Sequence, residues 1–487
     1  MAEDQEVELK FACGPDDLAA VLAAAPPGDD DTAELISVYF DTPDLDLQKA
    51  GASLRVRESK GRRVQTLKRG EGLAREEHEA PIEGLAPDPN LGPLPKLVPA
   101  GAALKPAFNV RVQRRQRRLK FQGAEIELAL DQGEVVRGRR RTPICEVELE
   151  LKSGEPQALF ALARELAKAA PLHIAFDSKA ARGQALVAGE TGEAQHSRDV
   201  RLKGKDTVAE AFQAIARAAL GQIAANAALL RTRPSPEVVH QLRVGARRLR
   251  STVSTFGDVL ADPQLPRLKE ELRWLSRAYD RIRNLDVYAE TLDQADHDLS
   301  AGGLAALHKA VQTARSRARR EVAQVADSDR FRALMLDLTA WMETGEWRDN
   351  EDAGKAFGPF AKVALDQRRK TVMKKGRHVA DAADEQLHEL RIAAKKLRYA
   401  SDAFTSLYGK RDVGGFAGLL KALQTELGEL NDIATAGPLV ESLPLAPDAA
   451  LVAGEQLGER RAERKKRVRR AAKAFGKLAD CTPFWHA

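Results

Sequence analysis

The sequence predicts two domains of different class: an α+β domain built on a closed or nearly closed antiparallel barrel, then an all-α domain of two similar helical bundles. Three observations carry this reading. At 487 residues the chain exceeds what one ordinary hydrophobic core serves. Short alternating runs, the mark of half-buried strands, fill residues 1–185 and stop there. In the second part an eleven-residue basic pattern occurs twice, 148 residues apart.

In chain order, strand patterns are expected near 5–11, 35–41, 52–58, 63–69, 75–83, 108–114, 117–122, 124–130 and 144–152, separated by Gly, Pro and Asp signals. Helical patterns interrupt them at Asp16–Ala24 and at Pro156–Ala169, the second with proline near its first turn. Ala86–Lys105, with five prolines, reads as a long connection between two groups of strands. Many antiparallel strands with few helices favour a barrel. Gly189–Arg201 is polar and patternless and reads as a linker, dividing the chain into 1–188 and 202–487.

The alternation in the first domain is inside out. Glu6, Glu8 and Lys10 share one strand face, and Val7, Leu9 and Phe11 the other. Arg55/Arg57, Glu77/Glu79, Glu125/Glu127 and Glu146/Glu148/Glu150/Lys152 repeat the pattern. A barrel accommodates this if charged residues line the lumen and apolar ones face out under covering helices. The carboxylates Glu6, Glu8, Glu146, Glu148 and Glu150 are hard oxygen ligands suited to Mg²⁺ or Mn²⁺. Lys10, Arg55, Arg57, Lys68, Arg75 and Arg114 are partners for phosphate oxygens. Together they point to metal-assisted phosphoryl transfer. A single charged strand face is ordinarily a wet sheet surface; it is the set that makes a site.

Net charge is +6, divided as −5 over residues 1–200 and +11 over 201–487, so the second part is expected to meet a polyanion. His-Gln-Leu-Arg-Val-Gly-Ala-Arg-Arg-Leu-Arg at 240–250 matches His-Glu-Leu-Arg-Ile-Ala-Ala-Lys-Lys-Leu-Arg at 388–398. The repeats run over about 202–345 and 346–487. On a helix His240, Arg243, Arg247 and Arg250 fall within an arc of roughly 80°, and Leu242, Ala246, Leu249 and Val253 lie on another face. His388, Arg391, Lys395 and Arg398 repeat the geometry. A solvated face would intersperse acids as i,i+4 partners, yet none occurs between Val238 and Gly257. The stripes are therefore read as an anion site, which Arg460–Arg470 is expected to extend. The Asn and Asp residues near 284–286 and 431–432 are expected to cap or orient the basic side chains. Specific nucleic-acid recognition is disfavoured, since no short helix-turn-helix pattern occurs and aromatics are 5% of the chain.

No P-loop, HExxH, GxSxG or dinucleotide GxGxxG motif stands out. Cys13, Cys145 and Cys481 are scattered without CxxC spacing, so a reducing compartment is expected and structural zinc is not. The first residues lack the apolar core of a secretory signal, and no apolar run reaches the ~18 residues of a membrane span. The expected location is cytoplasmic.

At these residues the first part resembles the CYTH family of triphosphate tunnel metalloenzymes. The likeness rests on Glu6-Val7-Glu8-Leu9-Lys10, Tyr39-Phe40-Asp41-Thr42, Leu54-Arg55-Val56-Arg57, Thr66-Leu67-Lys68, Arg75 with Glu77/Glu79, and Arg114. It continues through Glu127-Leu128-Ala129-Leu130-Asp131 with Gly133, Cys145–Lys152, Asp177-Ser178-Lys179 and Arg182-Gly183. The resemblance implies an antiparallel eight-stranded tunnel barrel with Glu6, Glu8, Asp131, Glu146 and Glu148 near Mg²⁺ or Mn²⁺. It implies a catalytic set of Glu6, Glu8, Lys10, Arg55, Arg57 and Lys68, with Arg75, Arg114, Lys179 and Arg182 on substrate. The second part resembles the CHAD family through the two His-x-x-Arg stripes and Pro483-Phe484-Trp485. That likeness implies two helical bundles about a pseudo-twofold that bind inorganic polyphosphate through His240, Arg243, Arg247, Arg250, His388, Arg391, Lys395 and Arg398. The pairing implies an inorganic triphosphatase that releases pyrophosphate and phosphate, with a tethered polyphosphate-binding domain and association with polyphosphate granules. The alternatives are a non-catalytic polyphosphate-binding or granule-targeting protein, and a nucleoside or thiamine triphosphatase or adenylate cyclase.

Overall fold

The computed structural model describes residues 5–70, 74–293 and 301–486, with side chains at all of these except 5–6, 74–75, 301 and 410–412. The chain forms two compact units, 1–195 with 328–344, and 196–327 with 345–487.

The first unit is an antiparallel sheet of β1 (Gln5–Ala12), β2 (Gly28–Asp41), β3 (Ala52–Ser59), β4 (Arg62–Arg69), β5 (Ala74–Pro81), β6 (Lys105–Phe121), β7 (Ala124–Arg137), β8 (Arg140–Ser153) and the two-residue β9 (His173–Ile174). Strands follow the order β5-β4-β3-β2-β6-β7-β8-β1, and β1 pairs back onto β5 through Gln5↔Glu76 to Val7↔Ala74. Eight strands thus close a ring and β9 pairs with the end of β1. Two hairpins turn on two residues with positive φ, Lys60-Gly61 and Gln122-Gly123, whose twist matches the flanking strands.

Register explains the inverted alternation. Lys10 stands opposite Glu148, Arg114 opposite Asp131, Asp131 opposite Glu146, Arg55 opposite both Tyr39 and Thr66, and Lys68 opposite Glu77. Cross-strand partners share a face, so all these side chains lie on the concave side. The other face is apolar: Leu9, Phe11, Val147, Leu149 and Leu151 are buried, and helix α4 (Gln157–Leu166) packs on β8 with Leu159, Phe160, Leu162 and Leu166 buried. Around β3 a second outer cluster joins Phe40, Leu54, Val56 and Leu67 to Leu47 and Leu94, which come from the short helices α2 (Asp46–Lys49) and α3 (Leu94–Leu97). Helix α1 (Asp17–Ala24) completes the outer layer beside α4.

The structure revises four local expectations. Runs 108–114 and 117–122 form one strand, β6, because β2 and β7 pair with it on both edges and carry the backbone straight across the polar stretch. Strand β2 begins at Gly28, earlier than expected, held there by pairing with β6 and by Arg117 on Asp30 at 2.5 Å. An unforeseen helix, α5 (Lys179–Ala188), is capped by the Ser178 hydroxyl accepting from the Ala181 N–H at 3.1 Å. Finally, the lumen is not charged throughout. At one end Leu35, Tyr39, Phe108, Val110, Val112, Val135 and Ile144 point inward and bury Ala180 and Leu186 of α5.

The second unit contains α6 (Val208–Thr232), α7 (Pro236–Thr255), α8 (Leu265–Ala278), α9 (Asp280–Asp293), α10 (Ala301–Asp327), α12 (Phe357–Gly376), α13 (Asp384–Phe404), α14 (Lys410–Glu441) and α15 (Pro447–Asp480). Helix α11 (Asp329–Thr344) belongs with the first unit, where it packs on α4 and Arg164 approaches Asp337 at 3.0 Å. Adding the repeat offset carries α6 onto α12, α7 onto α13 and α10 onto α15. The two halves meet as pseudo-equivalents at the starts of α6 and α12: Val208 N–H donates to Lys355 C=O at 2.9 Å, and Phe357 N–H to Asp206 C=O at 2.8 Å. Phe212, Phe256 and their offset partners Phe360 and Phe404 form one aromatic cluster with Phe357 and Trp347. Buried edge-to-face pairs of this kind fix the packing of the halves. One difference breaks the symmetry. Where α14 runs on without interruption, the first half is divided into α8 and α9 at Tyr279–Asp280. Among the described residues no helix is long and apolar enough to cross a membrane.

Candidate functional site

Two constellations stand out, one in each unit. In the barrel, Asp131 (β7) and Glu146 and Glu148 (β8) are all buried and each offers an oxygen within 4.8 Å of the others. Four cations surround them. Arg114 reaches Asp131 with both Nε and Nη2 at 2.7 Å and also touches Glu148 at 2.5 Å. Lys10 lies 2.9 Å from Glu148 and 3.5 Å from Glu8. Lys179, from the first turn of α5, contacts Glu146 and Glu148 at 2.7 Å and Asp131 at 2.8 Å. Arg182, one turn on, stands 2.5 Å from Glu146 Oε1, an oxygen that is buried without a well-formed hydrogen bond. Burial alone would raise Glu148, but Lys10, Lys179 and Arg114 hold it well below the usual carboxylate range. Burial likewise works against Asp131, and Lys179 and Arg114 keep it low.

The opposite wall is cationic. Arg55 and Arg57 (β3) are directed inward, and each has a buried Nε with no hydrogen-bond partner among the described residues. Burial, together with the like charges of Arg55 and Arg114, pushes Arg57 down to about 10. An orphaned buried donor on a crowded cation is what an oxyanion satisfies. Arg55 lies beside the Tyr39 hydroxyl, which favours its charged form. Burial favours the neutral phenol, yet Arg55 and Arg57 hold Tyr39 below its ordinary value. Tyr39 in turn stacks on Phe108 with ring centroids 4.7 Å apart. A Cβ at Gly183 would lie 2.0 Å from the Phe108 ring, so only glycine lets α5 settle there. The helix that supplies Lys179 therefore also fixes the Tyr39–Arg55 pair from the other side of the lumen.

Of the residues expected from sequence, Glu8, Lys10, Arg55, Arg57, Lys68, Arg114, Asp131, Glu146, Glu148, Lys179 and Arg182 all belong to this inner face or to α5. Lys68 pairs with Glu77 at 3.2 Å, beside Glu79, which accepts from Thr66 at 2.7 Å. The side chains of Glu6 and Arg75 lie outside the described residues; their backbones are register partners. Glu150 is engaged by Lys152 at 2.5 Å rather than by the cluster. Asp41, part of a family-like block, is structural, since its carboxylate accepts from the N–H groups of Thr42, Leu47 and Gln48 at the start of α2. Tyr39 went unassigned in sequence; its alternation with Phe40 was the available signal, and only the ring's contact with Phe108 reveals its task.

The donor set fits a divalent cation: three buried carboxylates from neighbouring strands, hard oxygen atoms, and one oxygen of Glu146 without hydrogen-bond geometry.

In the second unit α7 and α13 pack together and bring the two stripes into one cluster. Leu242, Ala246, Leu249 and Val253 are buried on the core side, as their spacing requires. Lys395 is pushed down to about 6, chiefly by burial and then by Arg247 and Arg391, against the pull of Asp432. Arg243 is lowered to about 10 by burial and by Arg247. Burial also lowers Arg391, Arg250 and His240, the last with Arg283 beside it.

The break between α8 and α9 distinguishes the copies. It leaves the Tyr279 carbonyl to accept from Arg243 at 2.6 Å, with Asp280 at 2.9 Å. In the continuous α14 no such break occurs, and Arg391 Nε is buried without a hydrogen-bond partner among the described residues. His388 meets Asn431 at 2.9 Å, the orienting role expected there. In the first copy Asp286, which corresponds to Asp432, holds Arg315 at 2.8 Å, away from the stripe. Arg398 sits at the rim against Gln424 and Asp402. The run 460–470 does not extend the field uniformly. Arg464 is on Asp384, the first residue of α13, at 2.6 Å, and Arg467 approaches Glu426 and Glu429, because one face of α15 packs on α14.

Comparison with known proteins agrees with this division. Residues 4–184 match the family model of the CYTH domain, and residues 214–441 that of the CHAD domain. The inorganic triphosphatase of Haemophilus influenzae is 31% identical over 193 residues, 37% of this chain and 55% of that protein, so the chain spans about half the length of the curated relative it matches. The crystal structure of the CHAD domain from the plant Ricinus communis is 28% identical, covers 58% of this chain and 96% of that one, and superposes with a TM-score of 0.51. HpAC1 from Hippeastrum, whose dominant activity is triphosphatase, is 19% identical over 38% of this chain and 96% of that one, with a TM-score of 0.30. The chain carries a CYTH domain followed by a CHAD domain.

Proposed function

We propose that the barrel, taken as residues 1–188, hydrolyses inorganic triphosphate to pyrophosphate and phosphate with Mg²⁺ or Mn²⁺, and that residues 202–487, beyond a linker at 189–201, bind inorganic polyphosphate. The observation that carries the reading is the division of one lumen into a buried carboxylate cluster and a wall of guanidinium groups with unpaired donors. Arg55 and Arg57 take phosphate oxygens and neutralise charge as the terminal bridging P–O bond breaks. Lys10 and Arg114 hold the carboxylates ionised and aimed into the lumen. A divalent ion on Asp131, Glu146 and Glu148 would polarise the phosphoryl group and orient water. Water adds its oxygen to the terminal phosphorus, pyrophosphate leaves, and Glu8, beside Lys10, is placed to accept a proton. The similarity to a curated inorganic triphosphatase supports this substrate over a nucleoside triphosphate.

In the second domain the lowering of Arg243, Arg391 and Lys395, by burial and by their common neighbour Arg247, supports a polyanion as the missing partner. Cytoplasmic location and association with polyphosphate granules follow as parts of the same reading, with no membrane or specific nucleic-acid partner. The test is phosphate release from tripolyphosphate, ATP, pyrophosphate and long-chain polyphosphate, with Mg²⁺ and with EDTA. EDTA-sensitive release from tripolyphosphate alone is expected. Absence of release from every substrate would leave the non-catalytic binding protein.

A further inference from the structure

The three carboxylates of the barrel already hold a cation. Lys179 Nζ donates to Glu146 Oε2 and to Glu148 Oε1, each at 2.7 Å, and forms a close ion pair with Asp131 Oδ2 at 2.8 Å. These are the same three residues whose oxygens gather closely enough for a metal. Divalent ions of this class sit about 2.1 Å from their oxygen ligands. An ammonium shared among those carboxylates cannot stay in place beside such an ion.

The other cations are anchored differently. Arg114 grips Asp131 with a two-pronged fork, a planar geometry that a point charge does not replace. Lys10 touches only Glu148 of the three, from a neighbouring strand. Lys179 has a flexible four-carbon stem and starts a ten-residue helix, so its head can swing while the helix stays seated by Gly183 against Phe108.

Resting on the metal-dependent reading above, we propose that Lys179 is a built-in stand-in for the metal: its ammonium fills the carboxylate cluster in the metal-free protein and is displaced when the ion arrives. The displaced ammonium is then free for a phosphate oxygen of the substrate. Metal and substrate binding are thereby coupled, since the ion occupies the carboxylates and releases a cation that the substrate uses. The stand-in also adds a fourth cation to Arg114, Lys10 and Arg182 around three buried carboxylates, which favours a folded barrel without metal.

The test is direct binding of Mn²⁺, without substrate, to the full chain and to Lys179→Met, by titration calorimetry and by the paramagnetic resonance of free Mn²⁺. With the competitor removed the variant should bind Mn²⁺ about tenfold more tightly or better, because the fraction of clusters open to the ion rises. Equal or weaker binding by a folded variant overturns the stand-in role while leaving the metal reading intact. Absence of Mn²⁺ binding by both proteins overturns the metal reading itself. If Lys179→Met does not fold without metal, amine-reactive labelling of Lys179 in the unaltered protein decides. Faster labelling of its ammonium group on adding Mn²⁺ supports displacement, and unchanged labelling overturns it.

Discussion

Lys395 offers the sharpest test of the basic cluster, because its charge is conditional. It is surrounded by Arg247 and Arg243 from α7, Arg391 from its own helix and Asp432 from α14, and is pushed down to about 6. At pH 8 it is therefore mostly neutral in the unliganded domain. A polyphosphate chain laid across the stripe would return it toward the ordinary lysine value of about 10.4. Binding then takes up close to one proton, and affinity falls by up to ~10-fold per pH unit between those values. From pH 7.5 to 9 that is about 30-fold, and solvent screening at a partly open site would leave roughly threefold per unit.

Folding responds with the opposite sign. The unfolded chain binds more protons than the native one in this window, so stability rises with pH by up to ~1.4 kcal/mol per unit. The assay is calorimetric titration with long-chain polyphosphate at pH 7.5, 8.25 and 9, in two buffers of different ionisation enthalpy. His240, lowered chiefly by burial, contributes little in this window. Lys395→Met should bind more weakly at pH 7.5 and lose most of the slope. A slope unchanged in the variant, or absent from the unaltered protein, refutes the reasoning.

Three further outcomes follow from the geometry. Arg391→Ala should weaken polyphosphate binding several-fold more than Arg243→Ala, since Arg243 is already held by the Tyr279 carbonyl and Asp280 and Arg391 is not; equal losses in calorimetry would contradict the asymmetry. Gly183→Ala should destabilise the barrel by about 1–3 kcal/mol or more, because the new methyl meets the Phe108 ring, and should lower activity through Arg55; denaturant unfolding and turnover with tripolyphosphate check both. Glu148→Gln should abolish turnover and cost about 3–5 kcal/mol by leaving Lys10, Lys179 and Arg114 short of a charge. Because Glu148 is held low in the folded state, the stability it confers is present above the unfolded carboxylate value and lost as pH falls through the native one. The variant should accordingly show a flatter acid limb in a denaturation series.

Much of this protein could be read from its sequence because the signals were local or repeated. The inverted alternation of Glu6, Glu8 and Lys10, echoed by Arg55/Arg57 and Glu146/Glu148, follows from the two-residue period of a strand, which any barrel must respect. The helical repeat was legible because two copies of one stripe share their spacing, and α7 and α13 begin 148 residues apart. The apolar spacing of Leu242, Ala246, Leu249 and Val253 named the buried face of α7 in advance.

Contacts made across long stretches of chain were not legible. Helix α5 is short and weakly patterned, and its place in the lumen depends on Gly183 meeting Phe108, 75 residues earlier. The pairing of Arg464 with Asp384 shows the same limit, since a charge run in sequence carries no record of which acids another helix will present. The sequence by itself determined which residues are charged, on which face of a strand or helix they stand, and that the helical half is double. Only the tertiary structure decided which cation meets which carboxylate: that Lys179 sits among Asp131, Glu146 and Glu148, and that a break in one helix holds Arg243 while beside its continuous counterpart Arg391 Nε has no hydrogen-bond partner among the described residues. The physical reason is that periodicity is a property of the local backbone, whereas ion pairing depends on distances of a few ångströms that are set when the barrel closes and the bundles pack.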